Sequence, residues 1–330
     1  MPQPTSGDVH VNTPLTNISV AFEQSEANFV SAKVFPMVPV MKQSDRYYTY
    51  DQHFFNRDEM KQRAPATESA GGGYEVDNTP NYFCNKWSFH KDVDEDMKAN
   101  ADSVIGPDRD ATQFCTMKGL IRREKQWVTN YLSASLWGRD RAGVASGATG
   151  TQYVQFDQAD SDPIITIRGE KTYILQNTGF VPNTLVMGVE VWDAIVDNPQ
   201  VIDRIKYGQT APGPAITETA AFAALVGIPN IYVMKSIEST ALEGNATQTS
   251  AFIGGKKMLL CYSAPSPGLM TPTGGYTFVW TGLLGGQAAG MRMKKFYMAQ
   301  LEADRVEITM AFDQKLIAAS LGTYFSAVVA

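Results

Sequence analysis

The chain has 330 residues, 44% of them hydrophobic and 19% charged, a length sufficient for about two domains with sizeable cores, which excludes a mini-protein held by disulfides or metal. Lys and Arg number 28 against 34 Asp and Glu, giving a net charge of −6, so a protein specialised for neutralising phosphates is not the default. The charged share lies below the ~25% of an ordinary soluble protein, and part of the surface is expected to be covered by partners.

In chain order, the start lacks the basic and apolar runs of a signal peptide, and Pro2, Pro4, Gly7 and Asp8 point to a polar arm. Ile18, Val20 and Phe22 alternate as in a strand, and Phe35, Pro36, Val38, Pro39 and Val40 form an extended apolar stretch. Residues 45–55, with Tyr47, Tyr48, Tyr50, Phe54 and Phe55, and residues 74–90, with Tyr74, Val76, Tyr82, Phe83, Trp87 and Phe89, both have strand composition. The polar stretch between them carries Arg57, Lys61, Arg63, Glu68 and three glycines, Gly71 to Gly73. The simplest reading is a long two-stranded excursion, which needs another surface to rest on because two strands alone are marginal in water.

After Gly106 and Pro107 the spacing of Ala111, Phe114, Met117, Ile121, Val128, Tyr131, Leu132 and Ser135 predicts a helix over about 109–137, with Asp108 and Asp110 at its start and Gly138 at its end. At ~1.5 Å per residue such a helix spans on the order of 43 Å, long enough to act as a spine. Residues 142–151, rich in Gly, Ala, Ser and Thr, read as a flexible connector. Compact α/β alternation follows. Helices are expected from Asp162–Pro163 to Gly179, from Asn198–Pro199 to Gly208 and from Thr217 to Gly227. Strands are expected at about 184–189, 230–235, 251–261, 276–284, 292–300 and 305–312, with an apolar tail from Tyr324 to Val329. The interval between Lys257 and Arg292 has no charge, but its prolines and glycines make it two strands around a loop, not a membrane span.

Catalytic and metal-binding patterns are largely missing. Cys84, Cys115 and Cys261 have no CxxC spacing, so neither a disulfide framework nor a zinc site is indicated and a reducing compartment fits. His10, His53 and His90 form no metal pattern, and no GxSxG elbow accompanies them. Asp92, Asp94 and Asp96 alternate like a calcium loop, but Met97 stands where Gly is needed and Ser103 where Glu is needed. A hydrolase using Glu190 and Asp193 is the alternative from another class, although that pair also suits a helix start. No catalytic, cofactor-binding or metal residues are assigned, and no enzyme activity is expected.

The order of parts then becomes informative, through FPMVPV at 35–40, RYYTYD at 46–51, RAPATES at 63–69, NADSVIGPDRDAT at 100–112, TGFVPNTLVMGVEVW at 178–192, NPQVIDRIKYG at 198–208 and AFDQKLIAASLGTYFSAVV at 311–329. Over essentially its whole length the chain resembles the major capsid proteins of tailed bacteriophages, which have the Hong Kong 97-like fold.

The resemblance implies an α+β fold with an N-terminal arm at 1–42, an E-loop at 43–90, a P-domain with the spine helix at 91–157, an A-domain at 158–288, long P-domain strands at 289–313 and a return to the A-domain at 314–330. It implies a self-assembling shell subunit that forms hexamers and pentamers around double-stranded DNA, with a portal protein, a decoration protein and, non-specifically, the packaged DNA as partners, and no membrane. The expected location is the virion, assembled in the cytoplasm of a bacterial host. About 40 residues precede the E-loop, so a separate scaffolding protein is expected. Family members that weld subunits covalently use a Lys in the E-loop and an Asn near the C-terminus; Lys61 matches the first, no Asn follows Asn245, and a shell without covalent links is expected. Tyr47, Tyr50, Arg57, Lys61, Arg63 and Glu68 are the expected inter-subunit contacts. An encapsulin-like compartment is the alternative within the fold.

Overall fold

The computed structural model describes residues 24–101, 106–208, 218–241, 247, 249–268, 270–286 and 290–330, and these build two main sheets connected by one long helix. The alternation of Ile18, Val20 and Phe22 and the helix start at Thr217 lie outside the described residues.

The first sheet is organised by the 14-residue strand Ala303–Leu316. Asn85–Asp94 runs antiparallel along one edge of it; Met291–Met298 and then Gly275–Trp280 line the other, and Met37–Val40 pairs in parallel with the latter. Alternation puts Val306 and Ile308 on one face, where they are buried with Val93, Ala111 and Cys115 beneath the helix Pro107–Tyr131. The contact row Ala111, Cys115 and Gly119 is made of small residues. A Cβ on Gly119 would stand 2.9 Å from Ile308 Cδ1, so the bare glycine lets helix and sheet approach closely. This corrects the expected apolar stripe, because Phe114 turns out to be exposed while Cys115, Gly119 and Leu120 face inward.

Pro107 opens the long helix, and Asp108 and Asp110 complement its dipole in the first turn. The helix ends at Tyr131, short of the expected 137. Leu132 leaves the helical backbone, Ser135 takes a φ of 63°, and the Trp137 indole turns back to donate to the Tyr131 carbonyl at 2.7 Å. At ~1.5 Å per residue the helix is about 37 Å long. The Tyr131 hydroxyl, within 3.2 Å of the Tyr276 carbonyl and 3.1 Å of the Lys315 carbonyl, ties its end to the first sheet.

The second sheet has the order Asn230–Met234, Thr184–Gly188, Met258–Cys261, Gly322–Ser326, Arg139–Val144 and Gln152–Val154. Its side chains divide by alternation. Leu185, Met187, Met258, Leu260 and Phe325 enter a core covered by the helices Pro163–Thr178, Val189–Asp197, Pro199–Gly208 and Thr219–Val226. Val186, Leu259, Cys261 and Tyr324 face the other way, toward Trp127, Tyr131 and Leu132 of the long helix and Val30, Val34 and Phe35. The local signals that start and stop these helices are those the sequence indicates. The Asp162 carboxylate accepts the Ile165 N–H at 2.9 Å, the Asn198 side chain accepts that of Gln200 at 3.0 Å, and Gly179 and Gly227 end their helices at φ 78° and 69°.

Four local expectations are corrected. The small-residue stretch 142–151 is not simply a connector, because Arg139–Val144 pairs in parallel with Gly322–Ser326; a Cβ on Gly143 would lie 1.9 Å from the Ala327 carbonyl oxygen, so smallness there serves close packing. The single strand at 251–261 divides into Ser250–Phe252 and Met258–Cys261 around Gly254 and Gly255, the latter at φ 54°. The strand at 276–284 stops at Trp280 and is followed by a helical turn, Thr281–Leu284, that Gly285 closes. Within 45–55, Gln52–Phe55 coils into a helical turn because the Asp51 carboxylate accepts the His53 N–H at 2.9 Å. The uncharged interval crosses from the second sheet to the first, and no described helix is long and apolar enough to span a membrane.

Residues 24–35 are strapped onto this framework. The Gln24 amide exchanges hydrogen bonds with the Ile237 backbone at 2.8 and 2.9 Å. The fully buried Glu124 carboxylate accepts the Val30 N–H at 3.0 Å and the Ser31 N–H at 2.8 Å, and the Phe35 ring lies 4.7 Å from that of Tyr131.

Candidate assembly interface

Residues 43–84 form a hairpin that leaves the first sheet and returns to it. Ser44–Arg46 pairs antiparallel with Asn81–Phe83, and Thr49–Tyr50 with Val76–Asp77. Its root is part of the subunit's own core: Tyr82 stacks on Phe278 at 4.6 Å, Tyr47 packs on the same ring at 5.5 Å, and the Phe83 N–H donates to Asp313 Oδ2 at 2.9 Å. Asp77 accepts both the N–H and the hydroxyl of Thr79, which fixes the returning turn and lowers its carboxyl pKa. Beyond the second ladder, residues 56–75 are exposed throughout and contain a single local turn, in which the Thr67 hydroxyl and the Arg63 guanidinium bond to backbone carbonyls of the same loop.

The six sequence-selected residues therefore fall into separate groups. Arg57, Lys61, Arg63 and Glu68 are exposed on the tip, with the Arg57 guanidinium 5.5 Å from the Phe54 ring centre. Tyr50 is half-buried midway along, in a knot with Phe55 at 6.3 Å and Tyr74 at 6.0 Å. Tyr47 stands apart at the root. Phe55 and Tyr74, 50% and 59% exposed and part of no buried core, were not among the six; their aromatic character at the two feet of one polar loop was the available signal.

Apolar side chains are exposed in other regions as well. At the far turn of the first sheet Met97, Phe296, Tyr297 and Leu301 are exposed beside a network in which Lys98 bonds Asp304 and lies 3.5 Å from Asp108, while Lys295 lies 2.6 Å from Asp108 and 3.1 Å from Asp304. Hydrogen bonds from Lys295 and Lys98 hold the Asp108 and Asp304 carboxyls, respectively, below the usual range. Beside the second sheet Ile165 and Leu175 on the helix Pro163–Thr178, and Phe180 and Val181 in the loop that follows it, are exposed. Exposed apolar groups at several separated places are what a surface that meets other molecules presents.

The remaining titratable groups have structural settings. Asp92 holds Arg305 in a two-pronged pair at 2.7 and 2.8 Å, and Glu190 occupies the first turn of Val189–Asp197, with Asp193 exposed on the same helix. The three thiols are free and buried, and burial pushes that of Cys84 up to about 12. Among the described residues no group of three or more His, Cys, Asp or Glu is placed to hold a metal ion.

Comparison with known proteins bears on this architecture. No family model matches the chain. It is 24% identical over 197 residues to a major capsid protein of Burkholderia phage BcepMu, a match that spans 60% of this chain and 61% of that relative. A phage-related protein from Bordetella bronchiseptica superposes with a TM-score of 0.68 at 18% identity, covering 92% of this chain and 94% of the other. The mature capsid of bacteriophage PhiM1 gives 0.61 at 10% identity over 97% and 92%, and the SrpI encapsulin of Synechococcus elongatus gives 0.55 at 11% over 95% and 93%. The fold of this chain is the mixed α+β, Hong Kong 97-like fold of phage capsid and encapsulin subunits.

Proposed function

We propose that the protein is the structural subunit of an icosahedral phage shell, assembling with copies of itself into hexamers and pentamers that enclose double-stranded DNA. The observation that carries this reading is the hairpin at 43–84, whose root is built into the subunit core while its tip at 56–75 is left exposed. A polar excursion of that length gains stability by lying on a neighbour. In this reading the hairpin is the E-loop, residues 24–42 continue an N-terminal arm, the first sheet with the long helix is the P-domain and the second sheet with its helices is the A-domain. Arg57, Lys61, Arg63, Glu68 and Tyr50 make contacts between subunits, whereas Tyr47 anchors the hairpin. A separate scaffolding protein, a portal and a decoration protein are the proposed partners, and the bacterial cytoplasm is the place of assembly.

The second reading, an enzyme-storing compartment, is kept by the likeness to the encapsulin. The phage reading is favoured because the curated sequence match is to a phage capsid protein and the Bordetella phage-related protein superposes better than the encapsulin does. Light scattering and negative-stain microscopy of the protein, alone and co-expressed with its scaffolding protein, test the proposal. Closed particles or rings of five and six subunits are expected, with DNA and not enzyme cargo in particles from infected cells. A monomer under every condition would overturn it.

A further inference from the structure

The first sheet presents two chemically different sides. On the side away from the long helix, register and alternation place Lys86, Asp92, Lys294, Arg305 and Glu307, with both signs interleaved and Arg305 paired with Asp92. On the helix side Phe114, Lys118, Arg122 and Lys125 follow one another at intervals of four, four and three residues, so they share one stripe. The only carboxylate on the helix between Phe114 and Tyr131 is Glu124, and it is buried against the amides of Val30 and Ser31. Lys125 is paired with Glu238. Lys118 and Lys91 reach the Phe114 ring, at 5.2 and 5.4 Å from its centre, and the Arg122 guanidinium lies 3.8 Å from the centre of the Trp87 ring. Among the described residues no acidic group forms an ion pair with Lys91, Lys118 or Arg122.

An aromatic face holds a cation in place without cancelling its charge. Three full positive charges are therefore fixed side by side, next to the exposed rings of Phe89 and Phe114, in a chain whose net charge is −6. We infer that the stripe of Lys91, Lys118 and Arg122 meets the phosphate backbone of duplex DNA. Duplex DNA carries one charge per ~1.7 Å of axis, dense enough to engage all three cations at once, and Arg122, whose guanidinium also donates to Gln126 Oε1 at 2.9 Å, keeps its full charge at any working pH. Three contacts give weak, salt-sensitive and sequence-independent binding, which suits a wall past which DNA must slide. The inference rests on the shell reading above.

The test is fluorescence anisotropy of a 30-bp duplex with the full-length protein over a salt series, comparing wild type, K118Q/R122Q and, as a control of equal charge loss on the opposite side, K86Q/K294Q. Thermal melts confirm folding, and R122K, which keeps the charge, covers the case in which loss of the Trp87 contact disturbs the fold. Each phosphate contact contributes ~0.9 to the slope of log K against log salt, so K118Q/R122Q should lower the slope by about 1.8 while K86Q/K294Q and R122K leave it unchanged. No duplex binding at low salt, or equal loss in both double variants, would overturn the inference. Equal binding of polyglutamate would overturn it in favour of an acidic polypeptide. Microscopy of the same samples separates the two levels: particles without stripe-dependent binding refute only this inference, whereas stripe-dependent binding by a protein that never forms particles refutes the shell reading.

Discussion

Glu124 and Glu170 are both buried carboxylates, and their surroundings make opposite predictions. Glu124 accepts two backbone N–H groups that open the turn at Ser31–Val34, and hydrogen bonds to a charged group contribute ~1.5–3 kcal/mol each. Glu124→Ala should destabilise the fold by about 3 kcal/mol in urea unfolding, and Glu124→Gln by less because one oxygen still accepts; a loss below about 1 kcal/mol for the alanine variant would show that the strap is held elsewhere. Glu170 faces Arg139 at 3.4 Å and Arg141 at 3.5 Å, yet burial outweighs both arginines and pushes its carboxyl above the ordinary value of 4.5. With the folded value raised, folding favours the protonated form. The stability this confers is fully present below the unfolded value and is lost as pH rises through the folded one. Glu170→Gln, which mimics the protonated form, should therefore melt at or above the wild-type temperature at pH 7, with the gap closing near pH 4. A lower melting temperature at pH 7 would mean that the ion pairs outweigh desolvation.

Among the elements, the C-terminal strands and the hairpin separate folding from assembly. Ala303–Leu316 is central in the first sheet, and Gly322–Ser326 lies between Met258–Cys261 and Arg139–Val144 in the second. Truncation after Gln300 removes an interior strand from each and should abolish soluble folded protein, and a cooperative melt at an unchanged temperature would contradict that. Deleting residues 56–73 leaves the root cluster of Tyr47, Tyr82, Cys84 and Phe278 intact. Loop length costs only ~0.6 kcal/mol per doubling, so circular dichroism should show a normal melt while microscopy shows no closed shells. Normal shells would refute the interface role of the tip, and loss of folding would place the tip in the core. Elements governed by local chemistry were legible in the sequence. Asp162 and Gly179 mark a helix whose ends depend on their own side chain and backbone, whereas the end of the long helix depends on Trp137 turning back to Tyr131, a tertiary contact that periodicity does not contain. The strand Arg139–Val144 was hidden for a related reason. Gly and Ala are the residues of flexible linkers and also those of crowded contacts, such as that of Gly143 with Ala327.

For the molecule as a whole, the order of hairpin, long helix and α/β layers was readable from the chain, because each part has its own texture of charge and apolar spacing. Which surfaces meet was less readable. The tip residues Arg57, Lys61, Arg63 and Glu68 stood out by polarity, but the attachment of Tyr47 to its own core, and the charge difference between the two sides of the first sheet, need register across strands distant in sequence. A charged fraction of 19% and several separated exposed apolar regions both fit a subunit enclosed by neighbours. The central claim, that the hairpin joins one subunit to the next in a closed shell, is tested most directly by a cryo-electron microscopy reconstruction of assembled particles at side-chain resolution. The account predicts residues 56–75 ordered across an adjacent subunit around every ring, and a tip that packs only on its own subunit, or projects without contact from an intact shell, would contradict it.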